Sequence, residues 1–310
     1  MNSHDVVVVG GGAAGLSAAL VLSRARRSVV VIDAGEPRNG PAAHMQGFLS
    51  RDGLPPQELL AAGRSEVQSY GGEVVVGSVS AITRSADEFL VDLASGKRLT
   101  ARRVLVATGL RDELPDIPGL GERWGRDLLH CPYCHGYEVR DQQVGVLGGT
   151  PDSFQHAQLL RQWTDDVVYF PHTDNVSPEQ VQQLQARAIG IVYGKVRRLV
   201  VEADVLRGVE LEDGRVVIRD VVFVRPRLIP NSDLLRTLGC TVNEGGWVIV
   251  DAVGATSIPG VWVAGNASNP RAQVITAAGE GSATAIAINA DLVNEDIAIS
   301  VESHLRAGSN

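Results

Sequence analysis

The chain has 310 residues, 44% of them hydrophobic, and a formal net charge of −8 with both charge signs interspersed, which describes a globular protein long enough for two domains. No Lys/Arg-rich run occurs, so nucleic acid and anionic membrane surfaces, both of which need a basic face, are not expected as partners. The 14 prolines and 34 glycines are spread as turn punctuation, and three cysteines are too few for a disulfide framework.

The first strand, "DVVVVG" from Asp5, follows only Asn2, Ser3 and His4, and no Lys or Arg precedes Arg24. No apolar run reaches the ~18 residues of a membrane span. A cytoplasmic protein is therefore expected, in which cysteines serve catalysis or metal binding before structure.

Residues 5 to 35 read as a βαβ unit. A buried strand, Val6 to Val9, enters Gly10-x-Gly12-x-x-Gly15, then an Ala/Leu-rich helix, then a strand from Ser28 to Ile32 that closes on Asp33. Gly10 permits the tight turn, Gly12 lets a pyrophosphate approach backbone and helix N-terminus, and Gly15 lets helix pack on strand. Asp33 is placed to accept hydrogen bonds from a ribose diol and disfavours a 2′-phosphate, so FAD or NAD is expected over NADP. With Ala13, Ala14 and Ala34 these residues form the first half of a cofactor-binding set.

Further on, "VLVATGLRDELPDIPG" supplies another strand with Gly109 in its turn, and "LLHCPYCHGYEV" follows. Cys131-x-x-Cys134-His135 fits a c-type haem box, half a zinc site or a redox dithiol. Haem attachment belongs outside the cytoplasm. His130, Cys131, Cys134 and His135 lie too close together to wrap one metal tetrahedron, and Cys240 reads as a lone buried cysteine, so no metal is expected. With Pro132 in a first helical turn, Cys131 sits at the N-terminal mouth, where amide hydrogens stabilise a thiolate. Cys134 and His135 then share its face, and an imidazole there suits a general base. His4, His44, His156 and His172 read as solvated or satisfied side chains.

A second βαβ, "QQVGVLGGTPDSFQHAQLLRQWTDDVVYF", keeps Gly148 but has Thr150 and Ser153 at the later glycine positions, and no arginine pair follows its second strand. The fold of a nicotinamide domain reads as kept and its ligand chemistry as eroded. "LEDGRVVI" gives a hairpin turning at Asp213-Gly214. At the end of the chain, "TSIPGVWVAGNASNPRAQVITAAGEG" gives a strand from Val261 to Ala264, a Gly265-Asn266 turn and a long small-residue helix from about Gln273 and Val274.

This C-terminal pattern, with the Ala-Thr-Gly strand, resembles the pyridine-nucleotide-disulfide oxidoreductase family. The resemblance implies FAD, and an α/β architecture of two Rossmann-like three-layer domains, the second inserted in the first: 1–114 and 247–310 binding FAD, and 115–246 carrying the dithiol. Asn266 stands where that family usually has Asp; an amide can still bond a ribityl hydroxyl, so Asn266→Asp is expected to keep flavin. Over nearly the full chain the constellation is similar to the low-molecular-weight thioredoxin reductases. That likeness implies a Cys131–Cys134 disulfide exchanging electrons with FAD, and a homodimer.

Those reductases usually carry Asp where this chain has His135. With "RNGPAAHMQGFLSRDGLPPQELL", this is similar to the flavin-dependent dithiol oxidases that close disulfides in gliotoxin, holomycin and romidepsin. The likeness implies oxidation of a small-molecule dithiol with O2 as acceptor and H2O2 as product, Cys134 facing flavin, His135 as base and His130 as a weaker candidate for the same proton traffic. NADPH is expected to bind weakly or not at all. Two other functions stay open at this point: an NADPH-driven reductase serving a thioredoxin-like protein, and a flavin-bound redox sensor.

Overall fold

The computed structural model describes residues 2–86, 88–150 and 152–308. In chain order it runs β1 (Asn2–Val9), α1 (Ala13–Arg24), β2 (Val29–Asp33), α2 (Pro56–Ser69), β3 (Glu73–Val76), β4 (Val79–Ser85), β5 (Glu88–Leu93), β6 (Arg98–Val106) and β7 (Leu110–Glu113). It continues through α3 (Leu120–Arg123), β8 (Leu128–Leu129), α4 (Pro132–His135), β9 (Val144–Leu147), α5 (Ser153–Leu160), β10 (Val167–Phe170), α6 (Pro178–Ala186) and β11 (Gly190–Ile191). The remainder is β12 (Val196–Glu202), β13 (Val205–Leu211), β14 (Val216–Ile218), β15 (Val221–Phe223), β16 (Arg227–Pro230), α7 (Asp233–Thr237), β17 (Val261–Val263) and α8 (Val274–Gly308).

These elements form two compact units. The first comprises residues 1–40, 56–111 and 229–310, built on a sheet in the order β3-β2-β1-β6-β5-β4 with β17 also on β6. β1, β2, β3, β6 and β17 run parallel, whereas β4 and β5 form an antiparallel extension. Val6 and Val8 face α1 and α8; Val7 and Val9 face the other layer, so a continuous valine run is what a strand covered on both sides requires. The second unit comprises 41–55 and 112–228, with a parallel sheet β11-β10-β9-β15-β8 and an antiparallel sheet β12-β13-β14 that includes the expected Asp213-Gly214 hairpin.

The boundaries differ from the expected 114/115 and 246/247. Leu235, Cys240 and Val248 bury against Ile82, Phe89 and Val91 of the β4–β5 hairpin, which carries residues 229–246 into the first unit. Residues 41–55 belong with the second, where Pro41 packs against Gly125. β1 also begins at Asn2, earlier than Asp5, because pairing with β6 extends it, Asn2 opposite Leu99. No helix among the described residues is long and apolar enough to cross a membrane.

The middle of α8 is tied to the sheet by ion pairs. Arg102 donates to Asp5, Glu295 and Asp296 at 2.9, 2.8 and 2.5 Å, Arg27 reaches Asp296 at 2.8 Å, and Arg103 reaches Asp291 at 2.5 Å. Hydrogen bonds from Arg27 and Arg102 hold the Asp296 carboxyl below its ordinary range, so this tether is present above the usual carboxylate pKa and is lost as pH falls through the lowered one. Arg102→Met should lower unfolding stability by about 1–2 kcal/mol and speed amide exchange over residues 291–300. Unchanged exchange there would show that α8 is held by its apolar face alone.

Candidate functional site

The N-terminal turn has the form a dinucleotide needs. The Gly10 amide donates to the Ile32 carbonyl at 2.8 Å, closing the turn after β1. A Cβ on Gly15 would stand 1.9 Å from the Gly10 carbonyl oxygen, so only glycine lets α1 approach the strand, whereas a Cβ on Gly12 would meet nothing within 4 Å. Gly12 is the N-cap of α1 and offers no side-chain cap, which leaves the amides of Ala13 and Ala14 open at the helix mouth. Asp33, the last residue of β2, accepts from the Gly11 and Gly35 amides at 3.2 and 3.3 Å through one oxygen, and its other oxygen lies 3.7 Å from Arg64. Ala34 follows it, exposed.

In the same unit, β17 runs into a single 3-10 turn, Gly265–Ala267, and α8 starts at Val274 with the Gln273 carbonyl accepting from Ala277 at 2.8 Å. Glu280 organises this turn, accepting from the Gly265 amide at 2.9 Å and from Asn269 Nδ2 at 2.6 Å. A Cβ on Gly281 would stand 2.0 Å from the Ala14 carbonyl oxygen, so α8 crosses α1 backbone to backbone. Gly109 is fixed by Asn231, whose amide donates to its carbonyl at 3.0 Å, while Thr108 and Asn231 exchange two further bonds of 2.7 and 2.9 Å. The expected cofactor residues of both halves thus share the C-terminal ends of β1 and β17, beside the switch point where β2 and β6 flank β1. Two open helix mouths, an acid at a strand end and an amide oxygen suit FAD. Asn231, Glu280 and Gly281 belong to no short motif and were not expected.

Asn266 has a role that the sequence hides. Its Nδ2 donates to the carbonyls of Asn269 and Ala272, both at 2.9 Å, which turns Oδ1 away as the acceptor for a hydroxyl. A carboxylate cannot make either bond. On this geometry Asn266→Asp is expected to weaken flavin retention, contrary to the expectation from the sequence.

The dithiol lies in the second unit. Cys131 is the N-cap of α4, Pro132 its first residue, and Cys131 and Cys134 form a disulfide with Cα atoms 5.2 Å apart. The Cys131 carbonyl accepts from the amides of Cys134 and His135, both at 3.1 Å, which sets the three residues on one turn. Burial holds the His135 imidazole below its ordinary pKa range, opposed by the charge of Glu138. Trp163, unnoticed in the sequence, backs this turn. Tyr133 meets it edge-on at 5.7 Å, and a Cβ on Gly136 would touch its ring at 2.9 Å. His130 stacks with Trp124, ring centres 6.5 Å apart.

Strand register makes the second βαβ directly comparable with the first. Gly148 donates to the Phe170 carbonyl at 2.7 Å as Gly10 does to Ile32, so Thr150 stands for Gly12, Ser153 for Gly15 and Pro171 for Asp33. α1 starts three residues after Gly10, but α5 starts five after Gly148, with Asp152 in a left-handed conformation before it. Residues 171–174 pack against the first two glycines of this turn much as Ala107 and Asp33 pack against Gly10 and Gly11: a Cβ on Gly148 would meet the Pro171 carbonyl at 2.3 Å and one on Gly149 would meet Thr173 at 2.5 Å, beside 2.4 Å and 2.5 Å in the first unit. Backbone topology is kept, while Thr150 and Ser153 replace the glycines at the places of Gly12 and Gly15.

Among the other histidines, His44 contacts the Gly53 carbonyl at 3.0 Å, His172 accepts from the Val196 amide at 2.9 Å, and His4 reaches Ser28 at 3.2 Å. His156 departs from the expectation. It is 2% exposed, edge-on to Phe223, and neither ring nitrogen makes a hydrogen bond of good geometry. Burial first, then the charge of Arg225, holds its pKa down to about 3. Cys240 is buried with its thiol pKa raised, as a structural cysteine should be. No metal-binding cluster occurs among the described residues.

A family model described as pyridine nucleotide-disulphide oxidoreductase matches residues 4–281. The chain is 30% identical over 313 residues to the thioredoxin reductase sirT of Leptosphaeria maculans, covering 95% of this chain and 96% of the relative. The crystal structure of HlmI superposes with a TM-score of 0.95 at 55% identity, covering 98% of this chain and 96% of its own. An oxidoreductase from Agrobacterium tumefaciens superposes at 0.89 with 36% identity, covering 94% and 99%.

Asn266→Asp should weaken FAD retention at least about tenfold, since a carboxylate facing two carbonyls leaves three acceptors without a donor. Flavin content after dialysis measures it, and full retention would refute the assigned amide orientation. His156 bears on acid stability. An unfolded chain binds a proton there below about pH 6.5 and the folded one does not until about 3, so stability falls as pH drops through that window. His156→Leu should flatten that acid limb in denaturant titrations, and an unchanged slope would show that the imidazole is protonated in the folded protein.

Proposed function

Because this chain belongs to the pyridine nucleotide-disulphide oxidoreductase family and is a thioredoxin reductase-like disulfide oxidoreductase with FAD as cofactor, we propose that it oxidises a small-molecule dithiol to a disulfide, with O2 as final acceptor and H2O2 as product. The observation that supports this reading is the second βαβ turn, with Thr150 and Ser153 at the places of Gly12 and Gly15 and its helix starting two residues later, where a reductase would take its electrons from NADPH. Dithiol plus O2 giving disulfide plus H2O2 balances without a nucleotide.

In this reading His135 takes the proton of a substrate thiol. Its lowered pKa keeps the imidazole neutral, and so basic, at neutral pH. The substrate thiolate attacks one sulfur of the Cys131–Cys134 disulfide, and the other departs as a thiolate. We assign Cys131 to the mixed disulfide and Cys134 to the exchange with flavin. The second substrate thiol then attacks its partner sulfur, which releases product and leaves two reduced cysteines. Bound FAD supplies the two-electron acceptor that oxygen can regenerate. Gly10, Gly12, Ala13, Ala14 and Gly15 would hold its pyrophosphate and Asp33 with Ala34 its ribose. Gly109, Gly265, Asn266, Gln273 and Val274 would line its ribityl and ring end. His130, one residue before the disulfide, shares proton traffic with solvent. Exposed Ile297, Ile299 and Val301 on α8 are compatible with a homodimer.

The names of the relatives favour one rival, a reductase acting on a thioredoxin-like protein. Anaerobic stopped-flow separates the two: a model dithiol should bleach the flavin within turnover time, and millimolar NADPH should do so slowly or not at all. The opposite order would establish the reductase. Cys131→Ser and Cys134→Ser should each abolish dithiol-driven bleaching with FAD still bound. His135→Ala should slow turnover roughly 10²- to 10⁴-fold and move the acid limb of the rate profile up toward about 8.5, where a thiol ionises unaided. An unmoved profile would remove His135 from the chemistry.

A further inference from the structure

A cavity of about 240 Å³ opens at the C-terminal ends of β9 and β10, at the place that corresponds to the dinucleotide turn of the first unit. Its wall holds a clamp of three side chains. One oxygen of Asp174 accepts from Ser153 Oγ at 2.6 Å and from the Tyr169 hydroxyl, and the two hydroxyls lie 3.0 Å apart. Ser153 and Tyr169 are 3% and 1% exposed, so the carboxylate is held by buried donors. The same oxygen lies 2.8 Å from where a Cβ on Gly148 would stand, against the turn itself.

We propose that Asp174, clamped by Ser153 and Tyr169, is the specificity-determining residue that closes this second dinucleotide fold to nucleotide phosphates. Three observations converge on it. Ser153 occupies the place of Gly15, and the side chain gained there is spent on holding the carboxylate. Asp174 presents negative charge beside the first glycine of the turn, where a phosphate of the same sign would have to lie in a partly desolvated cleft. Asp152 on the rim adds a second acid, which Arg225 approaches at 3.8 Å. The place of the charge is what differs between the units: at Gly10 the first unit sets the Ala107 carbonyl, and its own acid, Asp33, lies against the next glycine and accepts from the Gly11 amide. Burial and the Asp174 carboxylate raise the Tyr169 pKa, so the phenol remains a donor across the working pH range.

This inference rests on the reading that nicotinamide nucleotide is not the electron donor, and the test separates the two. NADP+ binding to FAD-loaded wild type, Asp174→Ala and Asp174→Asn is measured by calorimetry, together with dithiol turnover. Asp174→Asn keeps an oxygen for both hydroxyls and removes only the charge, so it stands in if the alanine variant fails to fold. Wild type should give no saturable signal at millimolar NADP+, and either variant should gain binding by at least about tenfold with dithiol turnover unchanged. Silence in both folded variants, with wild type still blind to NADPH, would overturn the clamp and leave the oxidase reading standing. Saturable binding to wild type would overturn the clamp as well, and NADPH bleaching of the wild-type flavin at turnover speed would overturn both.

Discussion

The close crossing of α1 and α8, where Gly281 lies against the Ala14 carbonyl, is the constraint on which the cofactor end depends. A side chain at 281 would push apart two helices that come from opposite ends of the chain. Their first turns, at Ala13 and Val274, would then no longer meet at the ends of β1 and β17. Glu280, next to that glycine, pins the Gly265 turn, so the packing contact and the turn that presents Asn266 are set by adjacent residues of one helix. Farther along the same helix, Arg27, Arg102 and Arg103 hold its acidic stretch to the sheet. The fold thus converts a small-residue helix interface into a cofactor end at which the uncapped N-terminus of α1 suits an anionic ligand.

The chain uses the same βαβ frame twice, with opposite results. Parallel strand pairing of the same kind places Gly12 over open space in one copy and the side chain of Thr150 at the matching position in the other. Since the backbone is shared, the difference lies in a few side chains and a two-residue delay in the start of the helix. The dithiol survives in this second unit on a turn of its own, set by Pro132 and backed by Trp163. Its geometry is therefore set by residues outside the turn at 148–153.

Much of this was legible in the sequence because it is local. The glycine spacing, the valine runs, the Pro132 helix start and the Asp213-Gly214 hairpin each follow from neighbours within a few residues, and each is where it was expected. What escaped depends on distant partners. Asn266 reads as a conservative exchange until its amide is seen between two carbonyls. His156 carries no motif; only Phe223, nearly seventy positions on, and the surrounding burial make it a neutral histidine. Residues 229–246 look like part of the insert because nothing in them announces the pocket that Leu235 fills beside Ile82 and Val91. Asp174 reads as an ordinary turn acid until Ser153 and Tyr169 are found to hold it.

The central claim is that electrons enter through a small dithiol and leave to oxygen with no nucleotide in the cycle. Simultaneous recording of oxygen uptake, peroxide and substrate thiols during aerobic turnover, with no nicotinamide present, tests it most directly. The account predicts one O2 consumed and one H2O2 formed for each dithiol closed, unaffected by added NADPH. Oxygen uptake that stays flat while NADPH is consumed against a disulfide substrate would contradict it.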